Sequence, residues 1–175
     1  MVCLPGMAEA SASGYNLIMF IGVIADTHGL LRQEALAALA GARLILHAGD
    51  IGRPEILEAL KALAPVRAVR GNMDLGIWAE RLPANSVAEV EGHLIYMLHD
   101  LHNLHQDPQA AGYEAVVSGH THHARIDDKN GVLYLNPGSA GPRRFRLPVT
   151  VARLHLRPSA LEPEIITLED PGGNA

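Results

Sequence analysis

The apolar run Met19–Ala25 (MFIGVIA) is continuous and rich in β-branched residues, the pattern of a strand covered on both faces. Leu31–Leu39 carries helical periodicity and stops just before Gly41, a residue suited to ending a helix. Arg43–His47 repeats the buried-strand pattern, Pro54 opens a second helix in its favoured first-turn position, and Val66–Val69 is a third short strand. This alternation of strand and helix predicts parallel pairing, with helices packed on the sheet.

Past that point the texture changes. Ser86–Val90 and His93–Leu98 flank Glu91-Gly92, a hairpin signal. Asp107–Ala111 has helical potential and Ala115–Ser118 reads as a strand. Arg125–Asp127 and Val132–Leu135 flank the turn sequence DKNG. Val149–Leu156 and Ile165–Leu168 close the chain as strands, separated by Pro158 and Pro163. This half reads as mostly antiparallel. With no repeat or linker, the expectation is one α/β domain over residues 18–170, two packed mixed β-sheets flanked by helices. Residues 1–17 are expected to form a poorly structured extension, and translation from Met1 or from near Met19 both remain open.

Composition narrows the function classes. The 175 residues, 48% hydrophobic and 19% charged, are enough for one globular core. A net charge of −5 offers no basic field for wrapping nucleic acid, whereas small phosphate substrates are not excluded because bound cations supply positive charge locally. The single cysteine, Cys3, rules out an internal disulfide and a thiolate metal site, and points to a reducing, cytoplasmic setting. No apolar run nears the roughly 18 residues of a membrane span, and the leader lacks the basic and apolar regions of a signal peptide. Ten histidines is a high count, and their placement is more telling than the number.

Each of five strands delivers Asp, Asn or His directly after its last apolar residue: Asp26-Thr27-His28, Gly49-Asp50, Gly71-Asn72-Met73-Asp74, His99-Asp100, and Gly119-His120-Thr121-His122. That is the edge at which open α/β sheets bind ligands. Alone, Asp26 and His28 are equally well a helix N-cap and a surface imidazole. Together, seven carboxylate, amide and imidazole groups exceed the needs of one ion and suit Mn, Fe, Zn, Co or Ni. Two ions about 3.5–4 Å apart that share one carboxylate use them all, generate hydroxide at neutral pH and clamp a phosphoryl group for in-line displacement.

The series DTHG, GD, GN-x-D, His99 and GHTH, with the later NPGS (Asn136–Ser139), resembles the calcineurin-like metallophosphoesterases, in particular their small bacterial and archaeal phosphodiesterase branch, over roughly residues 19–156. The resemblance implies a four-layer α/β/β/α sandwich. It implies one metal on Asp26, His28, Asp50 and His122, and a second on Asp50, Asn72, His99 and His120, with Asp50 as the bridge. Mn is the foremost candidate for both ions. Asn72 and His120 are then the residues beside the reacting phosphate, whose nucleophile is a metal-bridging hydroxide. The sequence departs from the family pattern twice: Met73 stands where many relatives have a histidine acting as general acid, and Asp100 where glycine is common.

Asp74 is either a turn residue or, preferably, a carboxylate orienting a ligating imidazole. Ser139 and Arg143 are substrate-binding candidates, with a plain turn and a solvated cation as the alternatives. His47 reads as a structural, hydrogen-bonded histidine. His102 and His105 read as a solvated loop, His123 as pointing away, and His93 and His155 as ordinary strand residues. Leu75 and Trp78 hint at a homodimer. The leading reading is a phosphodiesterase or phosphatase acting on a small phosphate ester. The alternative is a protein-interaction scaffold with a vestigial metal site, as the retromer subunit of the same fold family is thought to be. Erosion of that kind removes imidazoles, and all four remain here. A nuclease ranks third.

Overall fold

The computed structural model describes residues 19–144 and 146–168. The expected N-terminal extension and Cys3 lie outside the described residues. The first sheet contains β1 (Phe20–Ile24), β2 (Leu44–His47), β3 (Val66–Ala68), β9 (Thr150–Arg157) and β10 (Ala160–Thr167), in the order β10-β9-β1-β2-β3. The second contains β4 (Asn85–Val90), β5 (His93–Leu98), β6 (Ala115–Val117), β7 (Ala124–Lys129) and β8 (Val132–Pro137), in the order β4-β5-β6-β8-β7. The helices are α1 (Gln33–Leu39), α2 (Pro54–Lys61) and the single turn α3 (Ile77–Glu80).

Strand alternation divides the core in two. Ile21, Val23 and Ala25 on one side of β1 meet Leu46, Ile95, Met97, Val117 and Leu135 between the sheets. Ile24 on its other side meets Leu39 of α1 and Ile56, Leu57 and Leu60 of α2. Each of the larger side chains contributes roughly 1.5–3 kcal/mol when taken fully out of water. The outer face of the second sheet is covered more thinly. Tyr96, Leu98 and Val116 pack there against Leu104 and Tyr113, from a segment holding only the 3-10 turn Leu101–Asn103. The layers thus follow the expected order, with the fourth reduced to turns.

Pairing puts the strand ends to use. β1 pairs parallel with β2, and β2 with β3. In the second sheet β5, β6 and β8 are also parallel, so that half is mixed rather than mostly antiparallel. Pro163 lies inside β10 instead of breaking it, opposite Leu154. An edge strand tolerates proline because the lost N–H faces no partner strand, and β10 is the edge of its sheet. Asp107–Ala111 forms a turn, not a helix: the Asp107 carboxylate accepts the N–H groups of Gln109 and Ala110, and Gly112 at φ 77° ends it. The Glu91-Gly92 and Asn130-Gly131 turns adopt positive φ at both residues, as tight hairpins require.

Candidate metal centre

The five motif-bearing strand ends meet in one place. In one group, Asp26 Oδ1 lies 3.3 Å from His122 Nε2 and 3.9 Å from His28 Nε2, and the two ring nitrogens face each other at 3.2 Å. In a second, Asp50 Oδ2 lies 3.4 Å from His99 Nε2, while Asn72 Oδ1 is 3.1 Å from both His99 Nε2 and His120 Nδ1. Asp50 Oδ2 is also 3.9 Å from His28 Nε2, so this one oxygen borders both groups.

The donor set fits cations better than it fits itself. His99 Nδ1–H donates to the Ala48 carbonyl at 2.7 Å, which turns the Nε2 lone pair toward the Asn72 and Asp50 oxygens. Asp50 Oδ1 accepts the Met73 N–H at 2.8 Å and leaves Oδ2 for the cluster. Asp26 Oδ2 accepts the His120 N–H at 3.1 Å, while its Oδ1 is buried with no hydrogen-bond partner among the described residues. Oxygen and nitrogen lone pairs gathered at such distances repel unless a proton or a cation lies among them.

The same contacts shift the titration of these groups. Burial works to raise the Asp50 carboxyl, but the hydrogen bond with His99 and the Met73 N–H together hold it below its ordinary value. Burial likewise works to lower His99, and its bonds to Asp50 and the Ala48 carbonyl overcome this and raise it. His28 is pushed down, first by burial and then by the positive charge of Arg144.

The backbone that carries these groups is unusual. Asp26 (φ 53°), His28 (φ 44°), Asp50 (φ 53°), His120 (φ 69°) and His122 (φ 60°) all lie in the left-handed region. Each such residue costs roughly 1–2 kcal/mol, and clusters of this kind mark functional sites. Two glycines make room. A Cβ on Gly49, at φ 92°, would stand 2.6 Å from His99 Nδ1, and one on Gly71 would run into the Asp50 backbone and carboxylate.

Buried hydrogen bonds between distant loops fix the geometry. The Ser139 hydroxyl donates to the Asp26 carbonyl at 3.0 Å, and Asn136 Nδ2 donates to the Gly119 carbonyl at 2.7 Å. NPGS is therefore a brace between the DTH and GHTH turns, an arrangement neither sequence alternative contained. Asp74 supports the ligand loops, though not through an imidazole: its two oxygens accept the N–H groups of Gly52 and Gly71, each at 2.8 Å. His47 is structural, as expected. The Thr27 hydroxyl donates to the Ile51 carbonyl at 3.0 Å and accepts His47 Nε2–H at 2.9 Å, which pins the turn between Asp26 and His28. Complete burial lowers the His47 pKa to about 3.

The remaining candidates lie at or beyond the rim. Arg143 and Arg144 line a small cavity beside His122 and Ser139. His102 binds Asp100 through ring and backbone nitrogens, at 2.9 and 3.0 Å, with its side chain 91% exposed. His105 and His123 are exposed, His93 bridges Glu114 and the Arg157 carbonyl, and His155 binds Glu164. Trp78 packs against the helix-side core, whereas Leu75 is 75% exposed. Sequence reasoning missed Asp100 as a neighbour of His120, whose Nε2 lies 3.8 Å from Asp100 Oδ2.

Comparison with known proteins bears on the chain as a whole. A protein of Methanothermobacter thermautotrophicus named a "probable metallophosphoesterase" is 34% identical, over 87% of this chain and 95% of its own length. Among solved structures, one described as a novel archaeal phosphodiesterase superposes with a TM-score of 0.71 at 20% identity, covering 85% of this chain and all of the other. Vps29 of Chaetomium thermophilum gives 0.68 at 16% identity, over 86% of this chain and 100% of its own. At such identities these two structures speak for the fold. The sequence pattern of the calcineurin-like phosphoesterase superfamily domain matches residues 19–159, and the chain belongs to that family of metal-dependent phosphoesterases.

Proposed function

We propose that the protein is a dimetal-dependent phosphodiesterase acting on a small phosphate ester. The observation that carries this reading is the convergence of seven lone-pair side chains in two groups that border on a single Asp50 oxygen. Asp26, His28, Asp50 and His122 would hold one divalent cation, and Asp50, Asn72, His99 and His120 the other. Mn is the first candidate for both. Such a pair supplies a nucleophile at neutral pH, by lowering the pKa of bound water, and neutralises phosphoryl charge.

The protein's own groups then orient and exclude. Asn72, exposed at the mouth of the second group, is the side chain best placed to meet a phosphoryl oxygen. Thr27, Ser139 and Asn136 keep the ligand turns in position, so that little reorganisation accompanies binding. Met73 is 56% exposed and its thioether has no proton to donate, which favours esters whose leaving groups are already acidic.

The test is a metal-supplemented assay of the purified protein on bis(p-nitrophenyl) phosphate and p-nitrophenyl phosphate, with Asp50→Asn as control. The expected result is Mn-dependent turnover, faster on the diester and lost in the variant. Absence of turnover with Mn, Fe, Zn, Co and Ni would leave a scaffold of the same fold as the better description.

A further inference from the structure

Among the described residues, two of the clefts beside the candidate centre share His120. One, of about 210 Å³, is lined by His120, His122 and Arg144, on the side of the first ligand group. The other, of about 290 Å³, is lined by Asn72, His99 and His120 of the second group and extends to Arg70, Asn85 and Asn103. A phosphomonoester has a single arm to place, whereas a diester has two. These two clefts offer a place for each substituent of the substrate proposed above, and the role assigned to the larger of them rests on that diesterase reading.

The larger cleft carries the positive charge of Arg70. Arg70 is exposed and stands two residues before Asn72, on a loop pinned by its own N–H to the Pro83 carbonyl at 2.8 Å. Among the described residues, no carboxylate is paired with its guanidinium. The acidic side chain in this cleft, Asp100, is already engaged. Its Oδ1 accepts the His102 N–H at 3.0 Å and meets the His102 ring nitrogen at 2.9 Å, and its Oδ2 faces His120 Nε2 at 3.8 Å. A guanidinium offers a planar fork of N–H donors that matches phosphate. The Asn85 and Asn103 amides, which line the same cleft, supply donors and acceptors for hydroxyl groups or a ring.

We propose that this cleft seats one arm of the diester and that Arg70 reads a second anionic group, a phosphate, carried on that arm. The preferred substrates are then small diesters with an additional phosphate, rather than neutral-armed esters. Arg70 acts in recognition and takes no part in breaking the P–O bond, so its effect belongs in KM.

Two substrates that differ only in that group provide the test: thymidine 5′-(p-nitrophenyl phosphate) with and without a 3′-phosphate. For the Mn-loaded wild-type protein the 3′-phosphate is expected to raise kcat/KM about tenfold through KM, the size of one charge-assisted contact. In Arg70→Gln that advantage disappears, while turnover of bis(p-nitrophenyl) phosphate stays within about twofold, which also shows that the variant is folded. Competitive inhibition by thymidine 3′,5′-bisphosphate weakens by a similar factor in Arg70→Gln, and inhibition by inorganic phosphate does not. Equal kcat/KM for the two thymidine esters in the wild-type protein, or an advantage that survives in Arg70→Gln, overturns the assignment of Arg70. Failure to hydrolyse bis(p-nitrophenyl) phosphate at all overturns the diesterase reading itself, so the two failures are told apart by that one substrate.

Discussion

The side chains of the candidate centre are held by neighbours that belong to neither ligand group, and His47 is the clearest example. It lies wholly buried at the end of β2, donates to Thr27, and through it sets the turn between Asp26 and His28. Its low pKa has a measurable consequence. The unfolded chain takes up the His47 proton near pH 6.5 and the folded chain only at about 3. Between those values the unfolded state binds more protons, so stability is complete above pH 6.5 and drains away as the pH falls. In urea unfolding of the EDTA-treated protein, the wild type should lose about 2 kcal/mol more than His47→Gln between pH 7 and pH 5. Parallel pH profiles for the two proteins would mean that His47 does not titrate in this way.

At the scale of elements, what could be read in the sequence was whatever depends on neighbours in the chain. β1, β2 and α2 announce themselves because continuous apolar runs and a first-turn proline are local signals, and the ligands were found because each follows such a run directly. The edge strands were harder. β7 is mostly exposed, with Arg125, Asp127 and Lys129 along it, so its apolar pattern is faint, and β10 hides behind a proline that only an edge position permits. The braces left no signal at all. Asn136 and Gly119 are 17 residues apart, Ser139 and Asp26 are 113 apart, and nothing local to NPGS says which turns it will tie together. Asn136 is the brace to test. Its amide donates to the Gly119 carbonyl and the Thr121 hydroxyl, and its oxygen accepts the Gly138 N–H. Asn136→Ala leaves buried groups unpaired and should lower the unfolding free energy by about 2–3 kcal/mol. A loss below about 0.5 kcal/mol, within the range of an ordinary surface change, would show that the turns hold themselves.

For the molecule as a whole, the two parallel sets of strands, β1-β2-β3 and β5-β6-β8, bring ligands from both sheets to one end, and no single sheet supplies either group. Asp26, His28 and Asp50 come from loops of the first sheet and His122 from the second; Asn72 comes from the first and His99 and His120 from the second. Cations gripped there would tie the two sheets together at the end where five ligands hold a left-handed backbone. The −5 net charge of the chain adds a general attraction for divalent cations, which is weak and screened by salt, so tight binding has to come from the ligands themselves. The count of tightly held ions therefore tests the shared site most directly: the metal content of Mn-loaded, desalted protein, wild type against Asp50→Asn. About two Mn per wild-type chain are expected, retained in 0.5 M salt, and at most about one in the variant, since the shared carboxylate serves both ions. One ion or none in the wild type, or two still bound after Asp50→Asn, would contradict a shared site.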